Sequence, residues 1–223
     1  MSSASLIKRN LRGVIFGMAA LMFALAIWTL VTASRIGQAH FAANNCNCST
    51  SGISFSEGTV IGFAGIITLG IIVGVIYLIR TIARTRRLLA AMNMENERDG
   101  VALFHGGQCE AFTFGLFYPR IAVCAHCVAE LPTEELQAML THERYHVKSR
   151  DPLWFLAFDT LKYALWYIPL MRTLTSWHRL VCEIVADEQV ENKNALGSAL
   201  LRIGTPGSPI LSSEIARFAA IDR

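Results

Sequence analysis

The sequence predicts a mainly α chain with a small β-hairpin or edge sheet, carried on two N-terminal transmembrane helices. Three observations lead there. Residues 13–34 and 58–79 contain no Asp, Glu, Lys or Arg, and each run exceeds the about 20 residues a helix needs to cross a bilayer. Residues 111–123 are aromatic and β-branched, with Gly115 and Pro119 inside, the mark of short strands around a turn or of an edge strand. The stretch that Leu131-Pro132-Thr133 opens and Asp151-Pro152 stops reads as a capped amphipathic helix. The chain has 223 residues, 53% of them hydrophobic, a balance few soluble domains share. Six cysteines in a chain of this length do not suggest a disulfide scaffold.

Two parts follow in order. Residues 1–80 form a membrane anchor: a short basic start (Lys8, Arg9, Arg12), a first span over 13–34, a polar loop and a second span over 58–79. The first span is too long for a signal-peptide core and lacks a clear cleavage site. Gly13-x-x-x-Gly17, Gly58-x-x-x-Gly62 and Gly70-x-x-x-Gly74 offer close helix packing or a homodimer contact, against ordinary span composition. The loop holds Cys46 and Cys48, too close in sequence for an unstrained mutual bridge. Arg80, Arg84, Arg86 and Arg87 follow the second span, whereas the loop has only Arg35 at its edge. Positive residues stay in the cytoplasm, so the expected protein is a multi-pass protein of the cell membrane with residues 81–223 on the cytoplasmic side. The net charge is only +3, and no direct nucleic-acid contact is expected. Membrane lipid is.

In the second part, residues 81–98 read as a helix continuing from the membrane. An edge strand through Phe112, Phe114 and Gly115 could take an extended peptide by strand addition. Cys124-Ala-His126-Cys127 has no second CxxC beside it, and Cys109 is the nearest further thiol, so inert thiols are the default. Leu131-Pro132-Thr133-Glu134-Glu135 opens a helix, with Thr133 as N-cap and two acids at the positive end of the dipole. Leu136, Met139 and Leu140 form its buried stripe, and Asp151-Pro152 stops it. Residues 153–174 are apolar but contain Asp159 and Lys162, three apart and able to pair. One crossing there would separate the two halves of the site described next, and the segment is too short to cross twice. It is expected to lie in the interface, with Trp154, Trp166, Tyr167 and Trp177 as anchors, or to be a buried helix. A helix around 195–203, a loop over 204–209 and a short helix from about residue 210 close the chain.

His142-Glu143-Arg144-Tyr145-His146 spells HExxH. Positions four apart share one face of a helix. Both imidazoles can therefore reach one zinc ion while Glu143 stands beside them as a base. A catalytic zinc needs a third protein ligand and an open fourth position. Glu183 supplies that ligand, and Asp187, one turn on, is placed to fix a ligand histidine through its other ring nitrogen. Acids at this spacing also line solvated helix faces. Arg179 and His178 are candidates for stabilising the transition state, with Tyr145 a weaker one.

Phe114-Gly115-Leu116, Pro119-Arg120-Ile121, Leu131-Pro-Thr-Glu-Glu-Leu136, HExxH, Arg150-Asp-Pro-Leu153 and Glu183-x-x-Ala-Asp187 stand in this order. The chain resembles the membrane zinc metallopeptidases of the BlaR/MecR antirepressor type, and is similar to their HtpX and CAAX-prenyl-protease relatives. The resemblance implies a gluzincin-type domain with zinc on His142, His146 and Glu183 and with Glu143 as base. It implies a protein or peptide substrate, either a transcriptional repressor or damaged membrane protein. No third apolar run and no sensor domain follow Asp187, so β-lactam sensing is not expected. The competing expectation is a non-catalytic membrane signalling or scaffold protein with a structural metal site.

Overall fold

The structure is a computed structural model that describes residues 3–45, 54–92, 94–98, 100–105 and 110–203. The expectations for Cys46, Cys48, Cys109 and residues 204–223 fall outside these. The described chain is mainly helical with one small sheet. Its elements are α1 (Ser3–Asn45), α2 (Phe55–Ala91), β1 (Met94–Arg98), β2 (Val101–Phe104), β3 (Ala111–Phe114), β4 (Arg120–Cys124), α3 (Ala125–Glu130), α4 (Thr133–Ser149), α5 (Asp151–Ala164), α6 (Pro169–Glu188) and α7 (Lys193–Ile203). The described residues group into two compact units, one drawn from 3–83 and 156–179, the other from 84–155 and 180–203.

In the first unit, α1 and α2 are the two helices among the described residues long and apolar enough to cross a membrane. At about 1.5 Å per residue both outrun a hydrocarbon core of about 30 Å. Residues 153–174 do not form such a helix. They split into α5, a turn and the start of α6, because Pro169 opens a new helix. Their greater part groups with α1 and α2. Gly70 and Gly74 are the reason on the α2 side. A Cβ on Gly70 would strike the Ala164 carbonyl, and one on Gly74 would sit 2.8 Å from Ala164 Cβ. This Gly-x-x-x-Gly therefore serves contact with α5, whereas Gly13, Gly17 and Gly62 meet open space. Gly70→Leu is expected to cost about 1–3 kcal/mol through overpacking. Gly62→Leu is expected to be near neutral. Thermal unfolding of the two variants in detergent separates them, and equal effects would refute the assignment.

The interior of this unit is polar in places. Asp159, 8% exposed, accepts hydrogen bonds from Lys162 Nζ (2.8 Å), Arg179 and Tyr77 (3.4 Å). The Asp159–Lys162 pairing follows the spacing in sequence. His178 is fully buried. Its Nε2 accepts from Arg12 Nε at 3.1 Å, and its ring meets Phe158 edge-on at 4.6 Å.

The second unit is built on a four-stranded sheet in the order β1-β2-β4-β3. β1 and β2 are antiparallel, β2 and β4 parallel, β4 and β3 antiparallel. The helix expected over 81–98 stops at Ala91, and 94–98 form β1. The signal for this was Asp99-Gly100, a hairpin dipeptide. Gly100 takes φ 76°, a left-handed conformation that side chains resist. The expected β3–β4 hairpin is present and β3 is an edge strand. Gly115 takes φ 91° in its turn, where a Cβ would lie 2.6 Å from the Tyr118 carbonyl.

Helix α4 packs its Met139 and partly buried Leu136 and Leu140 onto Phe104, Ile121, Val123 and Leu131. Thr133 is the first residue of this helix and not its cap. Pro132 occupies the cap position without a side-chain hydrogen bond. At the far end Arg150 takes φ 53° and its N–H bonds back to Val147. That left-handed residue ends α4, and α5 begins at once with Asp151. Beneath the sheet end, Cys124 is a buried free thiol and Cys127 is disulfide-bonded. The CxxC thus does not present two thiolates to a metal.

Candidate metal centre

The HExxH residues lie where periodicity puts them, on one face of α4. His142 Nε2 and His146 Nε2 are 3.1 Å apart. Glu183, on α6, brings Oε2 to 3.3 Å from His142 Nε2 and 3.6 Å from His146 Nε2. These three are the only described His, Cys, Asp or Glu residues grouped tightly enough to hold an ion. A tetrahedral ion bound at 2.0–2.2 Å needs ligand atoms about 3.3 Å apart. The observed triangle has that size, so a small divalent metal fits without rearrangement.

Carboxylates stand behind both imidazoles. Asp187 Oδ1 is 2.9 Å from His142 Nδ1, within pairing distance though not aligned as a hydrogen bond. Asp151 Oδ2 is 2.9 Å from His146 Nδ1 and forms one. Asp151 is fully buried. Reading the sequence as a helix stop at Asp151-Pro152 missed this second function. The signal was its position: a tight reversal at Arg150 returns residue 151 to the end of the helix that carries His146. Carboxylates in this position fix the tautomer and raise ligand basicity.

Charges in this triangle lean on one another. Burial opposes the His146 imidazolium, yet the hydrogen bond to Asp151 and the nearby Glu183 carboxylate outweigh it and hold the pKa up at about 10. His142 is also raised, with burial opposed by Glu183. Burial works against the Glu183 carboxylate, but both imidazoles pull it down to about 2. Glu143 goes the other way. Burial lifts it, and the Thr113 hydrogen bond and two imidazoles only partly offset that. A carboxyl raised by burial beside a metal-sized triangle is a candidate general base.

A family model described as BlaR1 peptidase M56 matches residues 29–203. The chain belongs to that family. The match takes in α2, the sheet and both halves of the triangle. No curated protein matches the chain. Membership of the M56 peptidases makes this a metallopeptidase fold in which the His142–His146–Glu183 group is the candidate metal site.

The other residues named from the sequence make the following contacts. His178 and Arg179 belong to the first unit: His178 is buried against Phe158, and Arg179 is bound to Asp159. Tyr145 packs on His146, ring centroids 6.3 Å apart. Phe112 and Phe114 turn their rings onto the core of this M56 domain, Phe112 lying 5.6 Å from Phe104. What β3 can offer a peptide is main chain. Between them Thr113 donates its hydroxyl to Glu143 Oε2 at 2.7 Å, a contact that the sequence reading did not foresee.

Proposed function

We propose that this chain is a membrane-anchored zinc endopeptidase that hydrolyses peptide bonds in protein substrates. The single observation that carries the reading is the His142–His146–Glu183 triangle with Glu143 beside it. Two histidines, one glutamate and an open fourth position suit a catalytic zinc. The metal, when bound, would acidify a water and polarise the scissile carbonyl. Glu143 accepts the proton of the attacking water and returns it to the leaving amine. His146 and His142 are held in register by Asp151 and Asp187. The exposed edge of β3 aligns an extended peptide.

Residues 1–80 are proposed as the membrane anchor and 81–223 as the peptidase domain on the cytoplasmic side, from the arginine excess after α2. Labelling of a single engineered cysteine in α7 of intact cells decides between the sides. The antirepressor resemblance favours a repressor as substrate, and the HtpX resemblance favours damaged membrane protein. The test of the chemistry uses purified full-length protein in detergent and fluorescein-labelled casein. Cleavage is expected, a chelator should abolish it, and stoichiometric zinc should restore it. Cleavage that ignores the chelator would overturn the proposal.

A further inference from the structure

Thr113 stands at a junction between substrate edge and base. The register pairs Thr113 with Ile121 and Phe114 with Arg120. Just before β3, Glu110 accepts a hydrogen bond from Cys124 N at 2.8 Å, so its main chain points towards β4. Antiparallel strands alternate bonded and non-bonded pairs. Phe112 and Phe114 therefore face β4, and Ala111 and Thr113 face the open edge. Ile121 agrees independently: its N–H donates to the Gly100 carbonyl at 3.1 Å, on the β2 side. The Thr113 N–H and C=O thus point away from β4, and among the described residues no strand pairs with that edge. Its hydroxyl goes to Glu143, with Oε2 at 2.7 Å and the main-chain oxygen at 3.2 Å. One hydroxyl proton serves one acceptor, and the carboxylate is the stronger.

We propose that Thr113 is a positioning residue that ties the peptide-binding edge to the base, its side chain aiming the Glu143 carboxylate while its main chain registers the peptide. This rests on the peptidase reading. A peptide seated on β3 then has its carbonyl placed relative to the same residue that orients the base. Displacing a catalytic group by about 1 Å can cost about a hundredfold in rate.

The experiment compares zinc-loaded wild type, Thr113→Val, Thr113→Ser and Glu143→Gln in detergent on fluorescein-labelled casein. Valine keeps the branched shape and strand preference and removes only the hydroxyl. Thr113→Val is expected to lower kcat by about ten- to a hundredfold with KM within about twofold. Thr113→Ser should recover most of that loss. Zinc affinity and melting temperature should stay at wild-type values in both, and exchange of the β3 amides should quicken in Thr113→Val alone. An unchanged kcat in Thr113→Val, or a serine variant as slow as the valine one, overturns the proposal and leaves the peptidase reading standing. If wild type and Glu143→Gln cleave alike, the peptidase reading falls and takes this proposal with it.

Discussion

Glu143→Gln is expected to lower kcat by about 10²–10⁴-fold, the usual worth of a positioned general base, while leaving the metal bound. Glutamine keeps the size of the side chain and can still accept the Thr113 hydroxyl, but it cannot take a proton from water. The ligand triangle does not include Glu143, so zinc affinity should not move. Stability should move, if at all, upward. Burial raises the Glu143 pKa, which means that the surroundings disfavour the charged form. A neutral glutamine removes that strain and should keep or raise the melting temperature. Activity lost while stability is kept is the expected pattern for a catalytic group, because active sites trade stability for function. A scaffold with a structural metal would show no loss of cleavage, having none. Steady-state rates, zinc content and thermal unfolding of the same two preparations distinguish the cases. Equal rates would end the proposed mechanism.

Much of this was legible because the relevant rules are local. HExxH on a helix depends only on the 3.6-residue period, and the stripe of Leu136, Met139 and Leu140 shares it. Uncharged runs over 13–34 and 58–79 need no partner to be recognised. Gly115 and Pro119 mark the β3–β4 turn by backbone preference alone. What stayed hidden needed contacts between distant residues. Thr113 and Glu143 are thirty positions apart, and nothing about an isolated threonine in an aromatic strand announces a carboxylate partner. Asp151 was read correctly as a boundary, and its second use depends on the left-handed Arg150 that folds the chain back. His178 and Arg179 were attractive because they lie one turn before Glu183. Their contacts were not legible: His178 meets Arg12 and Phe158, and Arg179 meets Asp159. β1 was missed because residues 94–98 carry three charges among five residues, a poor strand composition rescued by pairing with β2.

Metal binding is expected to expel protons and to weaken steeply as pH falls. In the metal-free protein the Asp151 hydrogen bond and the Glu183 carboxylate outweigh burial and hold the His146 pKa up at about 10, so across the neutral range its imidazole is protonated, bonded to Asp151 through Nδ1 and 3.6 Å from Glu183 through Nε2. A metal takes only the neutral ring, and the proton must leave. Each proton displaced costs up to about tenfold in apparent affinity per unit fall in pH. The same shifts govern the empty fold. His146, raised from 6.5, contributes stability in full below 6.5 and loses it as pH rises through about 10. Glu183, lowered from 4.5, contributes above 4.5 and loses that as pH falls through about 2. Between these limits the imidazolium–carboxylate pairing holds the metal-free site together. Raising pH towards 10 therefore loosens the metal-free protein while strengthening metal binding, and the gap in melting temperature between loaded and free forms should widen with pH. Asp151→Asn tests the residue behind the shift. It removes the buried charge that supports His146, and should lower zinc affinity at pH 7 by about 10–100-fold while reducing the protons released. Competition against a chromophoric chelator gives the affinities. Calorimetry in buffers of different ionisation enthalpy counts the protons. Zinc binding without proton release near pH 7, or an Asp151→Asn variant with unchanged affinity, would show that the charged triangle is not what the metal displaces.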